Sequence, residues 1–173
     1  MNEKLDKSLY EKYPILYQEI NLPATQTCMC WGFSCDDGWY DIIDRLSAKL
    51  EEENNKITKY KNGRIVKIFK FLYDMLEYLK INNILYRHWR IKLNRLAYPE
   101  HIIAEQVKQK FGSLRFYINI WDDKLHKWIN EAEEESINTC EACGSKDQVE
   151  MTKGWIRAQC RKCKLAEAIR KQL

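Results

Sequence analysis

Apolar residues fall at helical spacing along much of the chain. Trp39, Ile42, Ile43, Leu46 and Leu50 stand at i, i+3, i+4, i+7 and i+11, a single stripe that predicts an amphipathic helix closed by the polar run EEENNK. The longest such segment is RIVKIFKFLYDMLEYLKI, residues 64–81, with Ile65, Ile68, Phe69, Leu72, Met75, Leu76 and Leu79 predicted inward. Asn82-Asn83 interrupts it, and ILYRHWRIKLNRLAY predicts a second, more basic helix. Residues 3–13 predict a short helix with Leu5, Leu9 and Tyr13 on one face, stopped by Pro14. Pro99 suits a first helical position and predicts a helix over 99–110. WDDKLHKWINEAEEES predicts another, with Trp121, Leu125, Trp128, Ile129 and Ala132 on one side.

The period changes after Gly112. Leu114, Phe116, Ile118 and Ile120 alternate with Arg115, Tyr117 and Asn119, the pattern of a half-buried strand. The compact apolar residues 28–33 predict a strand or extended entry, with Asp36 or Asp37 as N-cap of the helix that follows. Asn62-Gly63 marks a turn in KYKNGR. The fold class expected is therefore helix-rich α+β with few strands, followed by a zinc-ribbon-like four-cysteine unit. The division expected is a core over 1–137, which includes a basic aromatic extension at 54–98, and a cysteine unit with a C-terminal helix over 138–173.

Cys140, Cys143, Cys160 and Cys163 form two Cys-x-x-Cys pairs separated by 16 residues. Two residues between thiolates let both sulfurs of a pair reach one tetrahedral zinc. Gly144 suits the positive φ of such a knuckle, and DQVEMTKGWIRAQ can form a short hairpin that returns the second pair to the first. An iron–sulfur cluster and a redox dithiol are the alternatives to zinc. Four cysteines close the coordination sphere, so the zinc is expected to be structural. The N-terminus lacks the apolar stretch of a signal peptide and no run approaches a membrane span, so the expected setting is the cytosol, where thiols stay reduced.

Charge adds a second theme. Of 173 residues with net charge +4, residues 1–53 hold five Lys/Arg against eleven Asp/Glu, whereas 54–98 hold eleven against two. The basic segment interleaves cations with aromatic rings, which suits phosphates and unpaired bases. Lys67, Lys70, Arg87, Trp89 and Arg90 are its candidate contacts, with Arg157 and Arg161 beside the cysteines. The expected function is a non-enzymatic, zinc-stabilised protein that binds nucleic acid or a nucleoprotein. A solvated face on core helices and an acidic protein partner account for the same charges. Enzymatic alternatives rest on Cys35 as a nucleophile assisted by His88, His101 or His126, or on the Asp36/Asp37 pair. Helix capping explains that pair and Asp122-Asp123 equally well. Cys28 and Cys30 are expected to be buried thiols on one strand face.

WGFSCDDGWYDIIDRL, VKQKFGSLRFY and the terminal C-x-x-C-G…G-W…C-x-x-C, in that order, resemble a family of small phage and bacterial proteins with no established activity. The resemblance covers about residues 31–50 and 103–163 and takes in Gly38-Trp39, Lys110-Phe111-Gly112 and Gly154-Trp155. It implies a protein of mobile elements, with a host protein such as a defence component as the alternative partner.

Overall fold

The computed structural model describes residues 1–78 and 84–170, without the side chains of 84–89 and 95. The expectations for Leu79, Asn82-Asn83, and the side chains of Arg87, His88 and Trp89 lie outside the described residues. The chain forms two compact units, one of Met1–Glu51 with Ile102–Leu173 and one of Glu52–His101. The expected α+β class holds: among the described residues there are six α-helices and two two-stranded sheets.

In the first unit, α1 (Glu3–Lys12) starts at Asn2, whose side-chain oxygen accepts the amides of Lys4 and Leu5 at 3.1 Å each. It stops ahead of Pro14, as expected. Residues 28–33 are not a strand. Met29–Trp31 make a short 3-10 turn, because the Thr27 hydroxyl accepts the Met29 amide at 3.1 Å and bends the chain locally. A second such turn, Asp37–Trp39, leads into α2 (Tyr40–Lys61). Asp36 is the N-cap residue of that turn but makes no side-chain cap bond, and Asp37 instead accepts the backbone and side-chain amides of Asn2 at 2.7 Å each. The predicted stripe is correct, with Trp39, Ile42, Ile43, Leu46 and Leu50 all buried. The predicted end is not: α2 continues through EEENNK, where Lys56 pairs with Glu52 and Glu53 one turn back.

The helix predicted over 99–110 is a strand. β1 (Ala104–Lys110) pairs antiparallel with β2 (Ser113–Ile118) through the two-residue turn Phe111-Gly112. The buried positions of β1, Ala104 and Val107, are three apart because a register shift lies between Ala104 and Gln106, so the segment imitates a helical period. Leu114 and Phe116 of β2 are buried as predicted. α5 (Asp123–Ile137) packs on this hairpin, with the Ser136 hydroxyl accepting the Leu114 amide at 2.8 Å. Asp122 caps it by accepting the amides of Lys124 and Leu125. Leu125, Ile129 and Ala132 face inward, but Trp121 lies ahead of the helix, 79% exposed, with its ring 3.9 Å from that of His126.

β3 (Val149–Met151) and β4 (Ala158–Cys160) form the expected hairpin between the cysteine pairs, and α6 (Arg161–Arg170) follows. These elements do not make a compact unit of their own. The buried Trp39 indole donates to the Thr139 carbonyl at 2.9 Å, and the Gly38 amide donates to Glu141 at 2.8 Å, tying the cysteine segment to the start of α2.

The second unit nearly coincides with the basic extension. It holds the end of α2, α3 (Arg64–Tyr78) and α4 (Ile84–Ala97), and α3 packs on α4. The predicted inward face of α3 is only partly correct. Phe69, Leu72 and Leu76 are half-buried, whereas Ile65 and Ile68 are 60% and 58% exposed and Met75 is also exposed. A hairpin of helices covers one side of each, and the apolar surface of α3 is wider than the side that α4 covers. No helix among the described residues is long and apolar enough to cross a membrane.

Candidate metal centre

Cys140 and Cys143 lie in the loop after α5, Cys160 ends β4, and Cys163 lies in the first turn of α6. Their sulfurs all come within 4.8 Å of one another, with Cys143 and Cys160 Sγ 3.7 Å apart. Four thiolates about 2.3 Å from a tetrahedral ion stand about 3.8 Å from each other, so the separation fits a shared metal. It does not fit a disulfide, where the sulfurs are about 2.05 Å apart. The knuckle is built from backbone bonds: the Gly144 amide donates to Cys140 and the Cys140 amide to Ser145, both at 2.8 Å, with Gly144 at the expected positive φ of 75°.

The electrostatics of the quartet suit a cation. The Cys163 backbone amide, donating to the Cys160 sulfur, pushes that thiol down to about 7. Burial pushes the Cys143 and Cys163 thiols up, so these do not ionise readily beside a charged neighbour. A divalent ion removes that conflict by neutralising the thiolates as they form. Four sulfurs leave no open position for water or substrate.

What surrounds the centre is less evident from sequence. Gly38 crosses the knuckle so closely that a methyl group on it would stand 2.3 Å from the Cys140 carbonyl oxygen, 2.4 Å from the Gly144 nitrogen and 2.6 Å from the Glu141 carbonyl oxygen. Glu141 is buried and accepts the Asp36 amide at 3.2 Å, while Arg157 reaches Asp36 at 3.1 Å and Glu141 at 3.6 Å. The Gly-Trp dipeptide at 38–39 was the only sequence signal for this junction. Glu141, between two of the clustered cysteines, gave none.

The remaining candidates scatter. Arg157 is committed to its two carboxylates, whereas Arg161 is exposed on α6. Lys67 and Lys70 are exposed on α3, and Arg90 of α4 pairs with Glu77. Cys28 is exposed, Cys30 half-buried and Cys35 buried, so Cys28 departs from the expectation of a buried thiol because no strand forms there. Burial pushes the Cys35 thiol up to about 12, which makes it a poor nucleophile at neutral pH. His126 stacks on Trp121 and His101 bonds the Thr58 hydroxyl at 3.2 Å. The four cysteines thus form a closed site suited to a metal ion, and no family model, curated protein or solved structure matches the chain.

Proposed function

We propose that this is a non-enzymatic binding protein, stabilised by zinc on Cys140, Cys143, Cys160 and Cys163, that engages nucleic acid or a nucleoprotein through the basic aromatic surface of α3 and α4. The carrying observation is the composition of one exposed face of α3. Arg64, Lys67, Phe71 and Tyr78 fall at i, i+3, i+7 and i+14, all exposed, with Tyr78 at 86%. Cations and open ring faces on one surface are what phosphates and unpaired bases require. Lys70 extends the set, its ammonium 5.2 Å from the centre of the Tyr98 ring. Zinc is supported by the all-sulfur donor set and the 3.7 Å sulfur separation.

Titration of labelled single- and double-stranded DNA and RNA at two salt concentrations tests this reading. Affinity is expected to fall steeply with salt, and Lys67→Ala with Lys70→Ala to flatten log K against log salt by about 1.4–1.8, two phosphate contacts' worth. Salt-insensitive binding, or none, sinks it. A second reading has its own observation: Ile65, Ile68 and Met75 add aliphatic surface beside those cations, which suits a host protein. One stoichiometric protein co-purifying without nucleic acid, and lost on Ile68→Ser, favours that reading instead.

A further inference from the structure

The turn joining β1 to β2 carries an anomaly. Lys110 and Ser113 pair, and the two residues between them, Phe111 and Gly112, have φ of 54° and 80°. Two positive φ values are the type I′ pattern, which favours Asn-Gly and disfavours a bulky first residue. Phe111 gains no burial in exchange, since 71% of it is exposed. A strained backbone that holds a large ring in solvent points to a ligand.

The β3–β4 hairpin brings a second ring to the same place. Its loop is pinned by the Thr152 hydroxyl, which donates to the Trp155 carbonyl at 2.6 Å and accepts the Arg157 amide at 2.9 Å, and it presents Trp155 78% exposed. The two hairpins meet directly. Gln109 donates to the Ile156 carbonyl at 2.5 Å, and a side chain at Gly112 would collide with the Met151 sulfur at 2.4 Å. Between them lies a cleft of about 250 Å³ lined by Gln109, Lys110, Phe111, Gly154, Trp155 and Ile156. That is smaller than a drug-sized pocket and suits one flat ring. Its charge is of one sign: Lys110 lies 5.7 Å from the Phe111 ring centre, Lys153 is exposed beside Gly154, and no carboxylate lines it. Farther along the hairpin, Lys108 lies 5.4 Å from the ring of Tyr117.

We propose that this cleft is a base-stacking site for single-stranded nucleic acid, in which an unpaired base lies against Phe111 and Trp155 while Lys110 and Lys153 hold the flanking phosphates. The inference rests on the nucleic-acid reading for its class of ligand, but on different residues in a different unit. The cations select an anionic chain, and the rings select one that carries exposed planar groups.

The test uses the full, metal-loaded chain and fluorescence anisotropy with three probes: a dT 12-mer, an abasic 12-mer with the same phosphates, and an acidic tryptophan-containing peptide. Phe111→Asn and Trp155→Ala are each expected to weaken dT 12-mer binding about tenfold, leaving abasic binding unchanged. Phe111→Asn, which restores the favoured turn sequence, is also expected to raise Tm by about 2–4 °C. Unchanged dT 12-mer affinity in both variants overturns the proposal, as do equal affinities for the dT and abasic probes, a Tm lowered by Phe111→Asn, or the peptide displacing the oligomer at lower concentration. Lys67→Ala/Lys70→Ala separates this site from the α3 surface. Binding lost there but kept in the ring variants leaves the α3 reading and removes this one, and the opposite pattern does the reverse.

Discussion

The backbone crossing at Gly38 yields the sharpest quantitative expectation. Gly38→Ala places a methyl carbon 2.3–2.6 Å from three backbone atoms of the 140–144 knuckle, where ordinary contact begins near 3.4 Å. Backbone atoms cannot rotate aside, so relief requires the two segments to part by about 1 Å. Overpacking of this severity costs about 3 kcal/mol. Parting also breaks the 2.8 Å bond from the Gly38 amide to Glu141, worth about 1 kcal/mol more. With a urea slope of about 2 kcal/mol/M, a loss of about 4 kcal/mol lowers the midpoint by about 2 M. The knuckle carries Cys140 and Cys143, so whatever strain the metal-free chain can relax reappears as weaker metal binding, up to about a thousandfold at 1.4 kcal/mol per decade. Urea melts and competition against a colorimetric chelator, run on the same samples, measure both. A Gly38→Ala protein with wild-type midpoint and wild-type metal affinity would refute the crossing.

Other expectations follow from the same junction and its surroundings. Trp39→Phe, which leaves the Thr139 carbonyl without its indole donor in a buried position, is expected to lower stability by about 2–3 kcal/mol, read by urea melts. Metal affinity is expected to fall on acidification. Cys143 and Cys163 hold their protons above the ordinary thiol value, so binding expels at least two, and affinity measured by chelator competition drops at least about a hundredfold from pH 8 to 7. Cys160 adds to the slope below about 7, because its depressed value leaves it already ionised at pH 8, and as pH falls through 7 it takes up a proton that metal binding must then also expel. Iodoacetamide at pH 8 is expected to label exposed Cys28 and spare Cys35, whose thiol ionises only near 12; mass spectrometry showing Cys35 modified in the folded protein counts against its burial.

How legible each element was depends on how local its determinants are. The stripe from Trp39 to Leu50 and the cysteine spacing are local patterns, and both held. The strand at 104–110 was misread because its partner lies beyond a turn whose usual signal is disguised: Phe111 stands where Asn or Gly would announce a hairpin. On α3, periodicity located the apolar residues correctly but could not say that α4 covers only one side, which leaves Ile65 and Ile68 in solvent. The Gly38–Gly144 approach is a property of two chain segments about a hundred residues apart. A dipeptide can hint at it, but only the fold shows what the missing side chains make room for.

The candidate metal centre and the proposed stacking site are linked by the shortness of β3 and β4. Two strands of three residues each cannot hold a hairpin in water unaided. The register that pairs Val149 with Cys160 ends, on one side, at one of the four clustered cysteines, and the loop that presents Trp155 hangs from the other end. If a metal on the four sulfurs is what holds the hairpin, stripping it disperses Trp155 while Phe111, on the longer β1–β2 hairpin, keeps its place. The α3 surface belongs to the unit that contains none of the four cysteines. Metal removal should therefore separate the two nucleic-acid readings. Discrimination between the dT and abasic probes is expected to vanish with the metal, while salt-dependent binding through Lys67 and Lys70 persists. Loss of both together would show instead that the metal sustains the fold as a whole.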